Sequence, residues 1–77
     1  MTNTENKKPV KKIRVGSVTA TIWAQESGFY TANLERSYKD KDGNWKSSNS
    51  FSADDLVVAA KVASMAADAI IALQSDA

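Results

Sequence analysis

Between Arg36 and Lys46 the sequence reads RSYKDKDGNWK, which sets two large aromatic side chains and four cations around one Asp-Gly pair. Together these residue types suit one kind of chemistry: cations follow phosphates, and exposed rings stack on unpaired bases at about 1–3 kcal/mol per stack. The same stretch also reads as a solvated turn, because Asp and Gly tolerate the positive backbone torsions of tight hairpins. Arg14 and Trp23 supply a further cation and ring upstream.

Catalysis has little to work with. The 77 residues include no histidine and no cysteine, so disulfides, thiolate or imidazole metal ligands and the usual nucleophile–base pairs are excluded. No Gly-rich phosphate loop or G-x-S-x-G elbow occurs, and D-K-D-G at 40–43 lacks the later Glu of a calcium loop. The chain is therefore expected to be non-enzymatic, with no metal, no cofactor and no small-molecule substrate.

The net charge of +1 conceals a division. Residues 1–51 carry nine Lys/Arg against five Asp/Glu, whereas residues 52–77 carry one Lys against four Asp. A basic front half and an acidic back half suggest an electropositive face mounted on a scaffold of different character. No apolar run reads as long as the roughly 20 residues of a membrane span, and no signal-peptide core follows the Lys-rich start. A cytoplasmic protein is expected, nucleoid-associated in a bacterium or nuclear in a eukaryote.

The elements that must position these residues follow from periodicity. Residues 1–9 lack large apolar side chains apart from Met1 and read as a disordered polar tail, leaving 10–77 as one domain. From Val10 to Phe51 β-branched, aromatic and short polar residues alternate, the signature of half-buried strands. Four strands are expected: Lys11–Val15, a second with Val18, Ala20 and Ile22 on one face, a third from Phe29 to Lys39, and a fourth from Asn44 to Phe51. A turn of two or four residues at Asp42-Gly43 would put Lys39 and Lys46 on the open face with Thr19, Thr21 and Trp23. It would send Arg36, Tyr38 and Trp45 to the core side, near the hairpin tip.

Ser52 followed by Asp55 is a shortened capping box, and from Ala53 to Gln74 an Ala-rich run without Gly or Pro predicts one long helix. Its apolar residues spread beyond the roughly 100° stripe that one sheet contact needs. So small a domain needs a further source of stability, and with Cys and His absent self-association remains. A homodimer is expected through helix and sheet, with Val58, Val62, Met65, Ala66, Ala69 and Leu73 at the interface. The fold class is α+β, a curved four-stranded antiparallel sheet followed by a helix (ββββα).

Across about residues 13–73, strands ending in Arg-Ser-Tyr, then D-x-D-G, a Lys at 46, and Ser-Phe-Ser-Ala-Asp-Asp-Leu opening a helix resemble the transcriptional coactivator family called positive cofactor four. The resemblance implies a homodimer that binds single-stranded DNA on its curved sheet. It would make Lys46 a phosphate-contacting lysine and Arg36 the family's strand arginine. Aligning on the arginine shifts the register by one residue and reverses the apolar face, whereas aligning without a gap from Gly43 keeps the face and makes Tyr38 the stacking aromatic. This chain departs from the family at Ser47, Ser48 and Asn49, where relatives are richer in Lys, and in its more Ala-rich helix.

The leading expectation is thus a non-catalytic, homodimeric single-stranded nucleic-acid-binding protein, DNA before RNA, with Arg14, Trp23, Arg36, Tyr38, Lys39, Lys41 and Lys46 as contact residues. The alternative is a dimeric protein-interaction module that uses the sheet's face or edge.

Overall fold

The computed structural model describes residues 9–75. Strands β1 (Pro9–Val15), β2 (Val18–Ala24), β3 (Tyr30–Lys39) and β4 (Trp45–Ser48) precede one helix, α1 (Ala53–Ser75). The strands form a single antiparallel meander in the order β1-β2-β3-β4. This is the expected ββββα architecture. Residues 1–8 of the expected tail lie outside the described residues, and Pro9 already belongs to β1, opposite Trp23, before a register irregularity at Pro9–Lys11.

Alternation decides which side of the sheet is dry. Val18, Ala20 and Ile22 of β2 are fully buried and, with Ile13, meet Ala59, Val62 and Ala66 of α1. Val15, Tyr30, Leu34, Phe51, Val58, Met65, Ala69, Ile70 and Leu73 pack around this centre. The helix lies over β1, β2 and β3 but makes no contact with β4, so the last hairpin projects past its cover. The two layers form a slab only 14 Å thick.

The connections are built from local hydrogen bonds. Gly16-Ser17 is a two-residue hairpin closed by Val15 and Val18, with the only positive φ at the first central position, as in a type II′ turn. The other two hairpins share a different design. In each, the fourth residue donates to the first (Gly28 to Gln25, Gly43 to Asp40, both 3.0 Å) and the first donates to the fifth (Gln25 to Phe29, 2.8 Å; Asp40 to Asn44, 2.9 Å). The fourth position needs a left-handed backbone, and Gly supplies it with φ of 96° and 86°. In the second hairpin the Asp40 carboxylate also accepts the N–H groups of Asp42 and Asn44, each at 2.9 Å. That carboxylate favours a turn starting at Asp40 over a two-residue turn centred on Asp42-Gly43.

β4 is shorter than the expected Asn44–Phe51. It stops at Ser48, whose hydroxyl accepts the Ser50 N–H at 3.0 Å. The capping box forms: the Ser52 hydroxyl donates to Asp55 at 2.8 Å, Asp55 N–H approaches the Ser52 oxygen at 3.3 Å, and Leu56 N–H bonds the Ser52 carbonyl at 2.8 Å.

The face expected at a dimer interface packs on the chain's own sheet. Val62 and Ala66 are 0% and 3% exposed against the chain's own sheet, and Val58, Met65, Ala69 and Leu73 support the same core, so this face serves the sheet. The sequence did not show which of two apolar sides the sheet would take. The uncovered side carries Leu56, Val57, Ala60, Ala63, Ala67 and Ile71, all exposed. By length and composition the helix also reaches a membrane-spanning run, contrary to the expectation above.

Candidate nucleic-acid interface

The register of β3 and β4 decides which groups share a surface. Lys39 pairs with Trp45, Ser37 with Ser47, Tyr38 with Lys46 and Arg36 with Ser48. Five residues separate Lys39 from Trp45, an odd number, and this reverses the parity expected from a two- or four-residue turn. Trp45 therefore stands on the open face, and Lys46 moves to the helix side with Tyr38. Both are corrections to the expected arrangement, and both follow from the turn starting at Asp40.

On the open face, β1 contributes Lys12 and Arg14, β2 Thr19, Thr21 and Trp23, β3 Thr31, Asn33, Glu35, Ser37 and Lys39, and β4 Trp45 and Ser47. Two concavities run over it. One, of about 430 Å³, is lined by Arg14, Ser37 and Trp45. The other, of about 510 Å³, is lined by Thr21, Trp23, Asn33, Leu34, Glu35, Ser47, Ser48 and Asn49. Trp45 is 67% exposed, and the Lys39 ammonium lies 5.4 Å from its ring centroid. That contact holds a cation beside the ring while leaving much of the indole free to stack. Trp23 is half-buried.

Of the remaining expected contact residues, Arg36 and Lys46 are engaged elsewhere. Arg36 donates its Nε–H to the Ser50 carbonyl at 3.0 Å, lies 3.4 Å from the Asp55 carboxylate, and stands 5.2 Å from the Tyr38 ring centroid. It ties the β4–α1 connection to β3 and so has a structural task. The Lys46 ammonium sits 3.6 Å from Asp40, beside the turn. Lys41 is exposed at the hairpin tip, and Arg14 donates to the Gly16 carbonyl at 2.8 Å while remaining exposed.

Lys12 was missing from the expected contact set, although alternation with Ile13 already put it beside Arg14. Among the described residues no group of three or more acids forms a metal-binding cluster. No protein-family model, curated protein or solved structure matches the chain.

Proposed function

We propose that the protein is a non-catalytic, homodimeric single-stranded DNA-binding protein whose contact surface is the open face of the sheet. The observation that carries this reading is the presence of Trp23 and Trp45 on one concave, hydroxyl-rich face with Lys12, Arg14 and Lys39. Cations that track a backbone and rings that accept unpaired bases are the requirements for binding single strands. Eight residues of β3 and two strand spacings separate the tryptophans, a diagonal of about 28 Å. A stacked strand rising about 3.4 Å per nucleotide covers that distance in about eight nucleotides. The resemblance to the positive cofactor four family agrees with this reading, but here the contact residues are Trp45 and Lys39 in place of Arg36 and Lys46.

The second copy is supported by the uncovered helix face. Ala53, Val57, Ala60, Ser64, Ala67 and Ile71 recur at alternating spacings of four and three, the seam of a helix pair. In an antiparallel pair Val57 meets Ile71 of the partner subunit, with small residues between them for close approach. Lys61 then lies near Asp68 of the partner subunit.

Titrating the full chain with a mixed-sequence single strand of about eight nucleotides, read by tryptophan fluorescence, tests the DNA reading. Single strands should bind in preference to duplex, and three neutralised phosphates give a slope of log K against log salt of about −2. Trp45→Ala should weaken binding about 5- to 150-fold, with Tyr38→Ala and Lys46→Ala close to wild type. Absence of binding at low salt would end the reading.

A further inference from the structure

We propose that Glu35, midway along the open face between Trp23 and Trp45, makes the larger concavity a base-reading subsite selective for guanine. The inference rests on the nucleic-acid reading above and assigns its two concavities different tasks. The smaller one contains Arg14 and adjoins Lys39, and so suits phosphate. The larger one contains no cation, and its only charged lining residue is Glu35. Glu35 is exposed and, among the described residues, forms no ion pair or hydrogen bond. A free carboxylate repels phosphate, so this concavity suits the uncharged parts of a nucleic acid, and of these the bases carry paired N–H donors.

A carboxylate only accepts hydrogen bonds, and its two oxygens suit two adjacent donors. Guanine is the one common base with such a pair on its Watson–Crick edge, N1–H beside the N2 amino group. Cytosine and adenine each present one amino group next to an acceptor nitrogen, which the carboxylate repels. Thymine presents a single N–H between two carbonyls and is the worst match. The rest of the lining adds contacts: an Asn33 or Asn49 amide can donate to O6, and the Trp23 ring, one strand over and four residues along, offers a stacking wall to a neighbouring base.

The test uses single strands of about eight nucleotides, one all-thymine and others with one central guanine, cytosine or adenine, titrated into the full chain and into Glu35→Gln. The wild type should bind the guanine strand roughly tenfold more tightly than all-thymine. Glu35→Gln should bring the two affinities together, partly by tightening thymine binding as the negative charge is lost. Its urea midpoint should match wild type, because Glu35 is exposed and unpaired. Equal wild-type affinity for guanine and thymine strands would overturn the inference and leave the DNA reading standing. A guanine preference that survives in Glu35→Gln would overturn the role of Glu35, and failure of every strand to bind would overturn both readings.

Discussion

Replacing Val62 with Ala removes two methyl groups from a helical position that is 0% exposed beneath the sheet. At about 0.8 kcal/mol per buried carbon the transfer loss is about 1.6 kcal/mol. The cavity adds roughly 1 kcal/mol where the helix fails to settle, and the higher helix propensity of alanine returns about 0.5 kcal/mol. The net cost of about 2 kcal/mol is large against the roughly 4–12 kcal/mol typical of a domain this size. It corresponds to a melting temperature lower by about 8–16 °C. Urea unfolding at fixed protein concentration, followed by tryptophan fluorescence, should show a lower midpoint with unchanged slope, while sedimentation of the folded fraction stays as in wild type. A variant within about 0.5 kcal/mol of wild type but weakened in association would refute the reasoning, because Val62 would then face a partner and not the sheet.

Two other outcomes test the opposite side of the helix and the turn. Val57 is 73% exposed, so Val57→Lys should leave the circular dichroism spectrum of the chain intact while shifting sedimentation from dimer to monomer; an unchanged dimer would place the interface elsewhere. Gly43 has φ of 86° with open space where a Cβ would stand, so Gly43→Ala should cost about 1 kcal/mol through backbone strain alone, measured by urea unfolding, and Gly43→Asn should cost less.

The strands, their order and the capped helix were legible because each rests on a local signal. Val18, Ala20 and Ile22 alternate with Thr19, Thr21 and Trp23, and Ser52 stands three residues before Asp55. The errors came where two local solutions compete. Asp42-Gly43 permits a two-residue turn, but the Asp40 carboxylate rewards starting two residues earlier, and the odd loop carries Trp45 across the sheet. The helix offered a second ambiguity. Val57 and Val62 look alike in sequence, and which is buried is decided by the face that α1 turns to β1–β3. Lys12 was readable from parity alone, whereas the free Glu35 carboxylate emerged only when both concavities were seen on one face.

The two edges of the meander bear on association by strand addition. A sheet edge with unpaired N–H and C=O groups is a template for further strands, and long flat edges invite aggregation. Here β4 offers only four residues, and β1 begins at a proline that lacks an N–H, followed by an irregular step and three cations, Lys11, Lys12 and Arg14. Both edges are poor templates. Growth by strand addition is discouraged, which leaves the broad surfaces of the slab, the wet sheet on one side and the exposed side of the helix on the other, as the larger continuous surfaces.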